Sequence, residues 1–472
     1  MIELQENNGC WVNKYMMMKR ETKDLNVQTA IDTLYREYAN YTISNRAIPC
    51  YVDGLKPVQR KVLYNMLTNY GYGKKVKVVD GGSISSIGYK HGETSAQSAT
   101  ILMTAEYNNN YPLFIGHGAF GTRQVPEPSA PRYIYIELSK NTYNIFADND
   151  TLVYDEQDKT NLDPLYYLPV IPLLLLNGSK GIAVGFSTNI LPYSVSDIKK
   201  IMEYYYKSNI HQAYKLIDDL LPTFPNFNGE VYRDEENPNK YYITGIVEKM
   251  PPKRNNSKLT EYVITELPYS YSRESYYEIL QKLIDTNKIV DFVDECTDTF
   301  RFKIVVNSYD CDKIDKEPLT YFKIKTSMVE NLTVIDENGK LREYTNKKDL
   351  LDDWVEFRLK QSKKQIEIDI SKLNKTNSEL TLKLEFINSI INGDIDIKTS
   401  SYEELLSFID GLNPNIDISV KKSIISSPIH SLTKDEVKKL QKKIDDVQNN
   451  IDELKKTNEF TRLYNLLENV NI

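Results

Sequence analysis

The stretch RAIPCYVDGLKPVQRKVLYNM, residues 46–66, does most to determine the predicted fold. It begins as a turn-rich loop. Pro57 then stands where a helix would start, because proline is tolerated in the first helical turn. Apolar residues follow at helical spacing through Met66, and Gly71 marks the stop. The stretch therefore predicts a loop that leads into an amphipathic helix.

The elements around this helix predict a DNA-binding domain. An earlier helix fits residues 29–41, a second helix fits residues 95–108, and short strands fit residues 132–138. Helix, turn, helix and then β-ribbon is the order found in winged-helix domains. We therefore assign residues 29–150 to a winged-helix domain, preceded by a polar N-terminal arm over residues 1–28.

Two further regions follow, so the predicted fold is mixed α and β and multidomain. Alternating β-branched, aromatic and polar residues with one helix predict a mixed α/β domain over residues 151–345. In residues 346–472, apolar residues step by three and four in two segments, if Lys363 and Asn377 occupy two seam positions. These segments flank a compact helical stretch, which predicts a long antiparallel coiled coil with a globular helical tip. A long helical hairpin used only for dimerisation is the alternative.

Composition excludes several classes of protein. With 472 residues, 40% hydrophobic and 26% charged, the chain is not disordered as a whole. The most apolar stretch, residues 166–176, is too short to span a bilayer and contains Pro169 and Pro172. The N-terminus has no apolar core of a secretory signal. Four well-separated cysteines without a CxxC argue against a disulfide framework or zinc site, so we expect a reducing, cytoplasmic compartment.

Charge is unevenly distributed along the chain. The net charge is −7, which by itself speaks against a nucleic-acid-binding protein. Residues 41–140, however, hold 11 Lys and Arg against 6 Asp and Glu, a local balance of +5 that leaves −12 for the remainder. Such a basic island in an acidic protein indicates a dedicated polyanion-binding face. The alternative is a chance cluster on a solvated surface.

Two segments of the island offer phosphate contacts. Lys56, Arg60 and Lys61 surround the predicted helix start, where free backbone N–H groups and the helix dipole favour anions. His91 lies in the Gly-flanked turn GYKHGET, residues 88–94, just before a helix. It could bind a phosphate oxygen or donate a proton. A turn histidine hydrogen-bonded to the backbone is the alternative.

A third segment offers a nucleophile. Tyr133 follows Arg132 on an apparent strand edge, after the glycine-rich stretch GHGAFGT, residues 116–122, which would let backbone approach a ligand closely. A tyrosine hydroxyl, with a pKa of about 10, is a poor nucleophile at neutral pH. An adjacent guanidinium favours the phenolate and stabilises the extra charge of a phosphorane-like transition state. The alternative is a strand tyrosine that packs, since the chain has 35 tyrosines.

Together these segments resemble the DNA-cleaving subunit of type IIA DNA topoisomerases. The FGTR…PRYI form is nearer to the eukaryotic and T-even-type phage members than to bacterial gyrase, and the phage type fits best. The resemblance runs from about residue 30 to the second coiled-coil segment. It rests on five ordered blocks: RAIPCYVDGLKPVQRKVLYNM, YKHGE, GAFGTR, SAPRYIYIEL and LLLLNGSKGIAVGFSTNILP.

The resemblance implies roles at the cleavage centre. It makes Tyr133 the nucleophile that forms a transient 5′-phosphotyrosyl link, with Arg132 assisting the transition state. His91 matches a histidine placed at the scissile phosphate. Lys90 stands where many members have a histidine. A permanent cation can hold phosphate but is a poor proton shuttle at pH 7.

The resemblance also implies roles in holding DNA. Arg46, Lys56, Arg60 and Lys61 match basic positions that grip the cleaved duplex. Ile190 matches an isoleucine that wedges between base pairs and bends the DNA. Ordinary core packing is the alternative for Ile190.

The resemblance finally implies an assembly. The three regions become a winged-helix cleavage domain, an α/β tower domain, and a coiled-coil arm with a C-gate dimerisation domain. We expect a homodimer that acts on double-stranded DNA, in the host cytoplasm if the chain is phage-encoded. The chain has no GxxxxGK[ST] motif or acidic triad, so Mg²⁺ and ATP are expected on a partner subunit. It ends soon after the coiled coil, without the DNA-wrapping domain of gyrase, so active negative supercoiling is not expected.

Two other classes of function are compatible with the residues alone. One is a non-enzymatic winged-helix DNA-binding architectural protein that is dimerised by its coiled coils. The other is a purely structural coiled-coil assembly protein, which would show no salt-dependent DNA affinity.

Overall fold

A computed structural model describes residues 6–7, 10–11, 27–83, 85, 88–146, 150–155, 162–251, 258–397, 399–426 and 434–470. The predicted N-terminal arm, residues 1–28, lies almost entirely outside the described residues. Within it, Glu6–Asn7 pairs with Cys10–Trp11 as two short antiparallel strands.

The first region is built from helices around a small sheet. A helical run spans residues 27–47, with α-helical segments Val27–Ala30 and Arg36–Thr42 and wider π-helical turns Ile31–Tyr35 and Ile43–Ala47. The predicted helix start at Pro57 is confirmed. The helix runs over Pro57–Asn65, continues as a π-turn over Met66–Tyr70, and ends at Gly71 with φ +73°. The second predicted helix, expected over residues 95–108, is present as Glu93–Thr104; the other helices described in this region are Val78–Gly81 and Lys140–Ile145.

The sheet of this region places the segment around Tyr133. Its central strand, Tyr135–Leu138, pairs antiparallel with Lys75–Lys77 on one side and Phe114–His117 on the other. The prediction of a strand from Arg132 to Leu138 is wrong at its start. Pro131–Tyr133 forms a 3₁₀ turn, because proline fits a first helical turn and the Tyr133 N–H bonds the Ala130 carbonyl at 2.9 Å.

The middle region joins helices to two antiparallel sheets and two hairpins. One sheet has three strands and the other four, and helix Arg273–Asp285 buries Tyr276 and Leu280 beneath the larger one. The strands are Ser179–Ile182, Ser187–Ile190, Glu230–Arg233, Lys240–Thr244, Ile246–Lys249, Leu259–Glu266, Asp291–Asp294, Phe302–Asn307, Lys325–Val329, Leu332–Ile335 and Leu341–Tyr344. The other helices are Leu173–Asn177, Val195–Tyr206, Ile210–Asp219, Cys311–Lys316 and Pro318–Tyr321, with a 3₁₀ turn at Ser308–Asp310.

A long helix, Lys347–Asn392, connects the main core to the far end of the molecule. Its first turns pack into this main core, where the buried Trp354 side chain donates a hydrogen bond to the Val52 carbonyl at 2.8 Å. Further along, it packs antiparallel to Lys434–Lys456, with Asn377 bonded to Gln448 at 3.2 Å.

Short helices complete the two ends of this long pair. Tyr402–Leu412 and Ile418–Ile425 pack on the far end of the long helix, around Phe386. Glu459–Glu468 returns to the main core and buries Leu463 there. Among the described residues, no helix combines the length and the hydrophobicity of a membrane-spanning segment.

Candidate active site

Tyr133 lies at the surface beside a cation. Its side chain is 70% exposed, at the end of the 3₁₀ turn Pro131–Tyr133. The guanidinium carbon of Arg132, which is also exposed, lies 5.6 Å from the centre of the Tyr133 ring. A tyrosine that serves only to pack would be covered, so this placement leaves the phenol accessible to a large substrate.

The backbone on either side fixes the position of this turn. Ile134 is buried, and its carbonyl accepts a hydrogen bond from the Val78 N–H at 3.1 Å. Gly118, at φ +113°, passes so close that an added Cβ would lie 2.7 Å from the Ile134 side chain. The glycine-rich stretch thus lets the chain pass close beside the residue that follows the phenol.

Three lysines near Tyr133 were not singled out from the sequence. Lys74, Lys75 and Lys77 are exposed. The last two lie on the strand that pairs with the strand after Tyr133, with Lys77 opposite Tyr135. Their signal in the sequence was the run KKVK within the basic island, which showed charge but not the strand pairing.

His91 is held by tyrosine side chains at a separate polar cavity. Its Nε2 lies 2.5 Å from the hydroxyl oxygen of Tyr41, and the rings of Tyr41 and Tyr89 lie 5.5 and 5.3 Å from its own. The cavity, of about 240 Å³, is also lined by Lys61 and by Lys90, which is exposed. A partly exposed imidazole beside the exposed Lys90 can contact an anion.

Two of the predicted DNA-gripping residues point into the protein. Arg60 is buried and pairs with Asp53, Nε to Oδ2 at 2.7 Å and Nη2 to Oδ1 at 3.1 Å. Lys61 is buried and bonds Asp163 at 2.6 Å. The prediction that Arg60 and Lys61 contact DNA directly does not fit this placement, because each cation is paired with a carboxylate inside the protein. Asp53 also accepts the Leu55 N–H at 3.0 Å, so the Arg60 pair braces the loop before the helix.

The other predicted basic residues lie against one hairpin, residues 179–190. Arg46 is exposed on the π-helical turn Ile43–Ala47. This turn packs tightly on the hairpin, since an added Cβ on Gly181 would lie 2.1 Å from the Ala47 carbonyl oxygen. Lys56 is partly buried and donates to the Lys180 carbonyl at 2.6 Å, and burial lowers the pKa of its amine. Lys56 therefore clamps the hairpin to the start of the helix.

The hairpin corrects the prediction for the wedging residue. Ile190 is 3% exposed in the main core, where a side chain cannot insert between base pairs. Ile182, at the other end of the same hairpin, is 80% exposed. The sequence feature that could have pointed to Ile182 is the segment GIAVG, in which this isoleucine follows a glycine next to a tight turn.

The described residues do not fit a metal site within this chain. Across the described ranges there is no group of three or more His, Cys, Asp or Glu that could hold a metal ion. Cys50, Cys296 and Cys311 are free thiols. We therefore assign no chemical step to a metal ion held by these residues.

Comparison with known proteins identifies the family. A family model that describes the A subunits of DNA gyrase and topoisomerase IV matches residues 46–469. The chain belongs to this family. The DNA topoisomerase medium subunit of Enterobacteria phage T4 is 36% identical over 442 residues, 90% of this chain and 93% of that protein.

Other relatives of this topoisomerase family are longer than the chain. The putative mitochondrial DNA topoisomerase 2 of Caenorhabditis elegans is 28% identical to the chain, and the match covers 84% of the chain but only 35% of that protein. A solved structure, the DNA-binding, cleavage and re-ligation domain of Plasmodium falciparum topoisomerase II, matches with a TM-score of 0.80 and 26% identity. The match covers 92% of this chain and 62% of that chain.

These findings confirm the predicted family, the mixed α and β fold, and the function as a DNA breakage–reunion subunit of a type II topoisomerase. The non-enzymatic alternatives do not fit them. The roles of individual residues stay predictions.

Proposed function

We propose that Tyr133 is the nucleophile with which this topoisomerase subunit breaks DNA. The observation that supports the assignment is an exposed phenol on a fixed turn, 5.6 Å from the guanidinium carbon of Arg132. Exposure allows a duplex to reach the hydroxyl, and the cation favours the charge that develops as the phenol attacks.

The reaction is a reversible exchange of phosphodiester bonds. The Tyr133 oxygen forms a bond to the scissile phosphorus, and the bond from that phosphorus to the 3′ oxygen breaks. The phenol gives up its proton and the released 3′ oxygen takes one up, so no proton or electron is lost overall. Attack of the 3′-hydroxyl on the phosphotyrosyl bond reseals the strand, with Arg132 stabilising the same pentacoordinate charge in both directions.

His91 and the exposed cations hold the DNA in this proposal. His91, oriented by Tyr41, contacts the scissile phosphate region together with Lys90. Arg46 and the lysines of residues 74–77 neutralise phosphates on either side, because exposed lysine and arginine side chains release counterions from the duplex. Lys56 acts by holding the hairpin.

Ile182 replaces Ile190 as the proposed wedge. It projects from the hairpin that rests against the Arg46 turn, so an apolar group and a cation reach the same surface. Insertion of an apolar side chain between base pairs unstacks one step and kinks the duplex.

The assembly is proposed on the same basis. The first region is a winged-helix domain, the middle region is a tower domain, and the two long antiparallel helices form a coiled-coil arm that dimerises at a C-gate. In the homodimer, the two Tyr133 residues cut opposite strands for relaxation or decatenation. The relative's name, a medium subunit, indicates further subunits. We infer that a partner subunit supplies the ATPase and Mg²⁺ sites, in the host cytoplasm.

The test is a trapped-adduct assay on the chain reconstituted with its partner subunit. Wild-type protein should leave protein-linked DNA ends after denaturation in the presence of ATP and Mg²⁺. Tyr133→Phe should keep duplex affinity and lose the adducts, because the phenylalanine ring keeps the shape and removes the attacking oxygen. Adducts that persist in Tyr133→Phe would contradict the proposal.

A further inference from the structure

We propose that Arg123 is a positioning residue for DNA cleavage. Its side chain anchors the loop that precedes the nucleophile to the middle region. We call this loop, residues 119–129, the hook. The inference rests on the proposed function of Tyr133, which follows the hook after one short turn.

The hook is a closed loop with a tight tip. Its two ends are joined by a hydrogen bond from the Ser129 N–H to the Ala119 carbonyl at 2.9 Å. At the tip, the Thr122 N–H bonds the Val125 carbonyl at 2.8 Å, and the Val125 N–H bonds the Thr122 hydroxyl at 3.1 Å. A displacement of the tip is therefore carried to the end that leads into Pro131–Tyr133.

The guanidinium of Arg123 holds the tip in a buried polar socket. Nη1 lies 3.0 Å from the Glu266 carboxylate and donates to the Asn226 carbonyl at 2.8 Å, and Nη2 donates to the Leu267 carbonyl at 3.0 Å. The side chains of Arg123 and Glu266 are 8% and 4% exposed. Glu266 is itself fixed by the Asn228 N–H at 3.0 Å.

Three aromatic rings complete the socket. The guanidinium carbon lies 5.3, 5.4 and 5.2 Å from the ring centres of Phe227, Tyr269 and Phe300, within the range of cation–π attraction. The next residue, Gln124, adds two contacts. Its side-chain amide donates to the Thr297 carbonyl at 3.1 Å, and its backbone carbonyl accepts a hydrogen bond from the Arg273 N–H at 3.2 Å.

Arginine suits this socket better than lysine. A planar guanidinium can donate to two carbonyls and a carboxylate while its faces contact rings, whereas an ammonium offers a point charge without the fork. The geometry assigns to Arg123 the task of fixing the nucleophile's loop relative to the middle region. A shift of about 1 Å in a reacting group can cost up to about 100-fold in rate.

The experiment measures single-turnover cleavage by the full chain in complex with its partner subunit. Arg123→Met keeps the length of the side chain without its charge or hydrogen bonds, and Arg123→Lys keeps only the charge. Arg301→Met is the matched control, because Arg301 forms an ion pair with Glu295 in which both side chains are more than a third exposed. A second variant, Glu266→Gln, keeps the shape of the socket and removes its negative charge.

We expect the cleavage rate constant to fall at least about tenfold in Arg123→Met and by less in Arg123→Lys and Glu266→Gln. DNA affinity and the fraction of competent complexes should stay within about twofold of wild type, and Arg301→Met should match wild type. A role in stability alone would lower the competent fraction and leave the rate constant unchanged, and that result would overturn the inference.

Failure of this inference is distinguishable from failure of the proposed function. If wild-type protein forms adducts that Tyr133→Phe lacks, but the Arg123 and Glu266 variants cleave at the wild-type rate, only the role of Arg123 is overturned. If wild-type protein forms no adduct through Tyr133, both are overturned.

Discussion

The hairpin at residues 179–190 gives a sharp contrast between two isoleucines. Ile190 is 3% exposed and Ile182 is 80% exposed. Truncating a buried isoleucine to alanine costs about 2–5 kcal/mol of unfolding free energy. For Ile182→Ala the cost should stay below about 0.5 kcal/mol, because little of its surface is covered in the free protein.

The effect on DNA should be the reverse. Ile182→Ala removes the proposed wedge, and unstacking a base step requires a few kcal/mol that the wedge must supply. We expect bending of a duplex, measured by energy transfer between its labelled ends, to fall strongly in Ile182→Ala at near-wild-type stability. Adduct formation should fall with it.

The assay pairs this bending measurement with denaturant unfolding of each variant. Ile190→Ala serves as the matched control on the same hairpin, and it should lose stability while its folded fraction still bends DNA. Unchanged bending by Ile182→Ala, or a loss of stability equal to that of Ile190→Ala, would rule out Ile182 as an exposed wedge.

Three further predictions concern the basic island. Arg60→Ala should lower the unfolding free energy by about 3–5 kcal/mol in denaturant titrations, because it leaves a buried carboxylate unpaired; a loss below about 1 kcal/mol would contradict the buried pair. Replacing the three lysines of residues 74–77 by glutamine should reduce the salt dependence of duplex binding by about one unit for each phosphate that is no longer neutralised, and an unchanged slope would place these lysines off the DNA. Tyr41→Phe should slow cleavage, because it removes the hydroxyl that orients His91, while Tyr38→Phe, exposed on the same helix, should behave as wild type; equal behaviour of the two variants would argue against a role for Tyr41.

Local sequence signals predicted the elements well where one residue type dictates the backbone. Pro57 and Gly71 set the two ends of the helical stretch from 57 to 70, and the structure confirms both. The one helix expected among the strands is present as Arg273–Asp285, and the structure shows the Ser272 hydroxyl capping its start. Such signals act within a few residues and need no knowledge of tertiary contacts.

Sequence reasoning failed where the answer depends on distant contacts. From the sequence, Lys61 is expected to be a surface cation. Its partner Asp163 lies 102 positions later in the chain, and only the structure shows that the two meet. Charge alone therefore overstated the DNA-contacting set. Ile182 and Ile190 share one hairpin, and the sequence does not say which of them faces the core. Arg123 ends the block GAFGTR but was given no role, because the residues of its socket lie more than 100 positions away.

A covalent link between Tyr133 and DNA can be located by peptide mapping of the trapped adduct. The reconstituted complex would be denatured during cleavage, digested with nuclease and protease, and analysed by mass spectrometry for tyrosine that carries a nucleotide. We expect the added mass on the peptide containing Tyr133 and specifically on that residue. Modification of Tyr135 or of any other tyrosine, with Tyr133 unmodified, would contradict it.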